Sequence, residues 1–164
     1  ATPVIDVGGG RSTLVDDLLA RGYTDLSVLD LSESALAQAR DRLGAAGATV
    51  AWHVADVMNA ALPDAHYGLW HDRAVFHFLV DDAARAAYVA QAARALRPGG
   101  HAIIATFAPD GPEKCSGLPV RRYAAAELAA AFAPAFRLVN QAREVHRTPW
   151  DSTQAFGYAV LQHR

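Results

Sequence analysis

Short apolar strands alternate with amphipathic helices along this chain, and that alternation predicts an α/β protein. Its sheet should be mostly parallel, with helices on both faces. Three observations carry the prediction. Val4-Ile5-Asp6-Val7 is a β-branched run ending on Gly8, Gly9 and Gly10, which reads as a buried parallel strand entering a tight turn. Two more short strands follow, ending at Asp30 and just before Asp56, with a helical stretch between them. Two strand-like segments with no helix between them close the chain, which predicts an antiparallel hairpin at one sheet edge.

After the glycines, Ser12 can cap a helix through Leu14, Val15, Leu18 and Leu19, which Gly22 ends. Leu26 to Leu29 is the second strand. Ser32 caps a second helix carrying Leu36, Ala39, Arg40 and Leu43 at helical spacing, with Gly44 beyond it. Val50 to Val54 is the third strand and Tyr67 to His71 the fourth. Ala83 to Leu96 is helical and stops at Pro98-Gly99-Gly100. His101 to Phe107 is the fifth strand. The stretch from Ala108 to Pro119 holds three prolines and two glycines and is expected to be an irregular, mobile loop beside the ligand. Tyr123 to Phe132 is a further helix. The closing segments run from Phe136 to Val145 and from Ala155 to Gln162, the last with Phe156, Tyr158 and Val160 on one face.

The 164 residues suit one domain, and a 52% hydrophobic content allows a sizeable core. A net charge of -2 gives no electrostatic footprint for nucleic acid or an anionic membrane. One cysteine, Cys115, cannot form an internal disulfide, so a reducing, cytoplasmic setting is expected. No apolar run reaches membrane-spanning length. Ala1 is not a methionine and lies close to the first strand. Processing, truncation or a preceding leader would each account for that.

Ligands of open α/β sheets bind beyond the carboxyl ends of the strands. The residues there are Gly8 to Gly10, Asp30, Asp56, His71 to Arg73, and Thr106 onward. Glycines let a backbone turn sharply and approach a ligand. A carboxylate at Asp30 can accept both hydroxyls of a ribose, and Asp56 with the Val57 backbone can read an adenine amino group. Asp6 alternatively caps the turn, and Asp30 or Asp56 alternatively caps a helix.

Asp6-Val7-Gly8-Gly9-Gly10, Val28-Leu29-Asp30-Leu31-Ser32, Ala55-Asp56-Val57 and Leu96-Arg97-Pro98-Gly99-Gly100-His101 together resemble the class I S-adenosylmethionine-dependent methyltransferases. The resemblance spans essentially the whole chain. It implies a Rossmann-like, seven-stranded sheet whose last strand is antiparallel, and S-adenosyl-L-methionine as cofactor. Asp6 and the glycines would border the methionine part. Asp30, followed by Leu31, would hold the ribose, and Asp56 with Val57 the adenine. Trp70 to Leu79 looks like the segment that closes over the cofactor. Gly68 departs from the acidic residue often found there, and the usual helical leader before the first strand is missing from the sequence. A dinucleotide-binding domain is the rival, but Thr13 occupies the third glycine position of its fingerprint.

Several polar residues keep two readings. Asp72 and Arg73 either form a network that fixes their loop, or His71 and Arg73 stand at the rim of the cofactor pocket. His71, Asp72 and His77 are the candidates for a general base, whereas a metal site built from them lacks further ligands at recognisable spacing. Cys115-Ser116 reads as a substrate-side loop, since no nucleophile elbow is present. Arg121-Arg122-Tyr123 either starts a solvated helix or anchors an acidic substrate group. His146 and Trp150 read equally as core or edge. The acceptor is expected to be a small molecule. A protein lysine, or binding without catalysis, is the alternative. Oligomeric state is left open.

Overall fold

The computed structural model describes residues 2–148 and 151–164, so Ala1 and Trp150 lie outside the described residues. A seven-stranded sheet forms the centre. Its strands are β1 (Val4–Val7), β2 (Leu26–Asp30), β3 (Ala51–Val54), β4 (Tyr67–Arg73), β5 (Leu96–Phe107), β8 (Phe136–Arg147) and β9 (Thr153–His163), in the order β3-β2-β1-β4-β5-β9-β8. A separate small hairpin pairs β6 (Lys114–Cys115) with β7 (Leu118–Pro119). The strands from β3 to β5 run parallel. β9 is antiparallel to both β5 and β8, as the closing pair of segments predicts.

Each parallel crossover carries a helix or loop across a face of the sheet. Helices α1 (Leu14–Ala20) and α2 (Glu33–Leu43) cover one face, burying Val15, Leu36 and Ala39. There Val4, Leu26, Val28 and Val50 complete a core cluster. Helices α3 (Asp82–Ala95) and α4 (Ala125–Phe132) cover the other face. Its larger cluster includes Ile5, Trp70, Phe76, Tyr88, Phe132 and Ala159. β1 is buried at every residue because it is wrapped from both sides.

The ends of α2 and α3 follow from side-chain chemistry. Ser32 Oγ accepts from Ala35 N (3.2 Å), and Asp81 Oδ2 accepts from Ala84 N (3.0 Å), satisfying otherwise orphaned N–H groups. Gly44 ends α2 at φ 55°, a left-handed conformation that suits glycine. Ser12 Oγ accepts from Leu14 N (3.1 Å) just ahead of α1.

Two expectations change. β5 begins at Leu96 and runs through Pro98-Gly99-Gly100, which therefore does not separate helix from strand. Between the pairs Tyr67–Leu96 and Leu69–His101 the ladder slips, so a bulge takes up the proline and glycines. The stretch from Ala108 to Pro119 is not irregular throughout. Ser116 (φ 50°) and Gly117 (φ 80°) form the two-residue turn of the β6–β7 hairpin. On β9 the expected alternation holds: Phe156 packs with Ala105 and Phe107, with Tyr158 against the same cluster, while Ala159 and Leu161 join the large cluster on the other face. His146 lies on the edge strand β8, opposite Gln154.

Candidate functional site

Strand order reverses between β1 and β4, and the glycine turn sits at that switch point. Gly8 adopts φ 73°, and a Cβ there would overlap Val75 Cγ2. A Cβ on Gly9 would press on the Asp6 carboxylate and on Val28 Cγ1, at 2.5 and 2.9 Å. One on Gly10 would meet Asp30 Oδ2 and Ala35 Cβ, at 2.7 and 2.8 Å. The glycines thus let the turn settle against two carboxylates and a loop.

Asp30 emerges from β2 and ties that turn down. Its Oδ2 accepts from Gly10 N (3.0 Å), and its Oδ1 accepts from Ser32 N (2.8 Å). Each carboxylate oxygen has two acceptor sites, so both keep capacity for a ligand. Asp56 follows β3, and its Oδ1 accepts from Met58 N (2.9 Å). Asp30 and Asp56 line one cavity of about 620 Å³ with Val7, Gly8, Leu31, Val57 and Val75. The cavity continues along Phe78, Leu79 and Val80 to Leu118 and Pro119.

A second, polar pocket of about 350 Å³ adjoins the first through Val7 and Gly8, which border both. Asp6, Arg11, Ser12, Thr13, His71 and Arg73 complete its lining. Asp6 is 4% exposed. Its Oδ1 is 2.7 Å from His71 Nδ1, while Oδ2 is buried with no partner. An acceptor buried at the rim of a pocket and left unpaired is costly unless a donor arrives.

The dense segment Trp70 to Phe78 separates by strand alternation. His71 and Arg73 face the polar pocket, whereas Asp72 is fully buried on the opposite side. Asp72 accepts from Val75 N (2.8 Å), Phe76 N (2.9 Å) and the Tyr88 hydroxyl, and Tyr88 Oη also accepts from Trp70 Nε1 (2.9 Å). Burial pushes Asp72 up to about 6, against those hydrogen bonds. Asp72 does fix its loop, but not through Arg73. Arg73 instead donates to the Tyr158 hydroxyl (3.2 Å) and lies over the Phe156 ring. His77 is also fully buried. Its Nδ1 accepts from Phe107 N (3.4 Å), and burial lowers it to about 4. Of the three base candidates, only His71 borders a cavity.

Arg122 donates to Gly111 O (3.1 Å) and Glu113 Oε1 (3.2 Å), bracing the stretch ahead of the β6–β7 hairpin. Arg121 N donates to His77 O (2.8 Å). Cys115 packs beside Ala105, Phe107 and Phe156, and burial pushes its thiol up, away from the reactive thiolate. No group of three or more potential metal ligands exists among the described residues.

The sequence model of the methyltransferase domain matches residues 4–100, from the start of β1 into the first residues of β5. The chain belongs to the class I S-adenosylmethionine-dependent methyltransferases. Solved structures agree on the fold. One, from work on the conversion of a disulfide bond into a thioacetal group in echinomycin biosynthesis, has a TM-score of 0.81 at 21% identity, over 99% of this chain and 76% of that one. A Methanosarcina mazei S-adenosylmethionine-dependent methyltransferase scores 0.79 at 13% identity, over 99% and 92%. The Burkholderia thailandensis 1,6-didemethyltoxoflavin-N1-methyltransferase, with bound 1,6-didemethyltoxoflavin and S-adenosylhomocysteine, scores 0.77 at 23% identity, over 99% and 71%. A search of curated protein sequences finds no match.

This methyltransferase uses S-adenosylmethionine, and the site fits that group. Two adjoining cavities share the glycine turn, one carrying two carboxylates and apolar walls, the other an unpaired buried carboxylate oxygen among cationic and hydroxyl side chains. Val75 and Phe78 fall in the segment expected to close over the cofactor and Leu118 in the stretch expected beside the ligand, whereas Met58, Arg11 and Thr13 are site residues that sequence reasoning missed. Their place beyond strand ends was the available signal.

Proposed function

We propose that the methyltransferase transfers its methyl group to a small molecule, with the nucleoside of the cofactor in the large cavity and its amino acid in the polar pocket. The observation that carries this reading is the shared border of the two cavities at Val7 and Gly8. Asp30 would accept from the ribose hydroxyls. Asp56 and the Val57 backbone would read the adenine, with Leu31 against its face. The Asp6 oxygen that has no partner would receive the ammonium, beside the glycines, His71 and Arg73. Bound there, the cofactor supplies a methyl group already activated by its sulfonium, so the protein chiefly aligns the acceptor. We assign Asp72 and His77 to holding the loop rather than to proton transfer, because both are sealed from the cavities. The volume of about 620 Å³ lies in the range typical of small-molecule sites. A cytoplasmic setting belongs to this proposal and rests on the single cysteine.

Calorimetric titration with S-adenosylhomocysteine tests the reading. Binding should occur, and Asp30→Asn should weaken it by roughly ten- to a hundredfold, since charged hydrogen bonds contribute about 1.5–3 kcal/mol. NAD should not bind. Unchanged affinity in Asp30→Asn would refute the ribose role, and methylation of lysine peptides alone would refute the small-molecule acceptor.

A further inference from the structure

We propose that the far half of the large cavity seats the apolar body of the methyl acceptor, so that the substrate is an apolar small molecule rather than a charged metabolite or a lysine side chain. This rests on the cofactor assignment above, which places the nucleoside at the other half.

The cavity is chemically divided. Its carboxylates, Asp30 and Asp56, stand at the ends of β2 and β3, on one side of β1 in the sheet order. On the other side of β1, the turn after β4 brings Phe78, Leu79 and Val80, and the β6–β7 hairpin after β5 brings Leu118 and Pro119. None of these five carries a charge or a side-chain hydrogen-bonding group. An ammonium or carboxylate seated there would lose part of its water and gain no partner from the wall, which disfavours it.

The wall is nevertheless open to solvent. Val80 is 56% and Leu118 58% exposed. Large apolar side chains that gather around a concavity, rather than scatter singly, mark a ligand site. Both segments follow strand ends on the ligand side of the sheet.

The hairpin is also built to hold its position. A two-residue turn at Ser116 and Gly117 sets Leu118 opposite Cys115. Val120 N donates to Glu113 O (3.1 Å), and Arg121 N to His77 O (2.8 Å), on either side of the hairpin's base. Leu118 is therefore presented by a braced element, as a specificity wall requires.

The probe is 2-naphthol, neutral and apolar, titrated by fluorescence into protein saturated with S-adenosylhomocysteine. Saturable one-to-one binding is expected. Leu118→Asp and Val80→Asp should each weaken it about tenfold or more, while S-adenosylhomocysteine affinity stays within about twofold of the parent. Both replaced residues are exposed, so thermal melts should match the parent. Nα-acetyl-lysine amide should not bind. The proposal is overturned if naphthol fails to bind the loaded protein, if S-adenosylhomocysteine displaces it fully, if both variants bind it as the parent does, or if the lysine amide binds instead. Failure of S-adenosylhomocysteine to bind at all would appear separately, in the titration without naphthol, and would bring down the underlying reading.

Discussion

Replacing Asp72 by asparagine should uncover a pH dependence of stability that the parent protein conceals. Asp72 and His77 are both 0% exposed, and they titrate in opposing senses. Burial lifts Asp72 from 3.8 to about 6. Between those values the folded protein keeps a proton that the unfolded chain has released. Stability from this group is therefore fullest at low pH and falls as pH rises toward 6, by about 3 kcal/mol. Burial lowers His77 from 6.5 to about 4. Here the unfolded chain takes up the proton first, so stability is fullest above 6.5 and is lost as pH falls, again by about 3 kcal/mol. The two slopes nearly cancel in the parent. In Asp72→Asn the His77 slope is no longer opposed by Asp72, and the unfolding free energy should climb by about 3 kcal/mol more than it does in the parent between pH 4 and 6.5. Urea titrations followed by tryptophan fluorescence at closely spaced pH values would show this. The slope is insensitive to hydrogen bonds that asparagine fails to make, which shift the whole curve. His77→Gln should show the opposite slope. A profile for Asp72→Asn parallel to that of the parent would refute the reasoning.

Further outcomes follow from other contacts. Gly8→Ala should destabilise the protein by about 1–2 kcal/mol through its positive φ alone, and should weaken S-adenosylhomocysteine binding as Val75 is displaced. Chemical denaturation and calorimetry check the two effects. Arg122→Ala should speed hydrogen exchange at Val120, whose N–H bonds to Glu113 O beside the Arg122 brace. Equal exchange in parent and variant would rule out the brace. Phe132 is fully buried, with ring centroids 5.0 Å from Phe76 and 5.5 Å from Phe136. Phe132→Ala should cost about 3–5 kcal/mol in urea unfolding.

The glycine turn, the aspartates at strand ends and the closing antiparallel pair were legible because they are local: β-branched runs, breakers and caps announce themselves within a few residues. What lay hidden depends on partners far along the chain. Nothing near Asp72 points to Tyr88, sixteen residues on, and adjacency suggested Arg73 instead. Strand alternation carried a usable signal once β4 is taken as far as Arg73, since it sends His71 and Arg73 to one face and Asp72 to the other. Prolines and glycines masked the hairpin from Lys114 to Pro119, although Ser116-Gly117 is a serviceable two-residue turn. The same bias cut β5 short, because a bulge absorbs Pro98 in a way composition does not reveal. Residue type alone does not reveal that at Gly9 and Gly10 the space a Cβ would fill is held by the protein's own side chains.

The insertion of β9 between β5 and β8 bears on how this protein is made. A ribosome releases β5 long before β9, and the intervening α4 and β8 must emerge before the inner neighbour of β5 arrives. Until residues near Leu161 leave the exit tunnel, the backbone groups along one side of β5 have no partner and the large core lacks Ala159 and Leu161. Such an unpaired edge can recruit a neighbouring chain. Slow translation of the segment between Phe107 and Thr153 would prolong that exposure, so synonymous codon choice there should influence the soluble yield while leaving the finished protein unaltered.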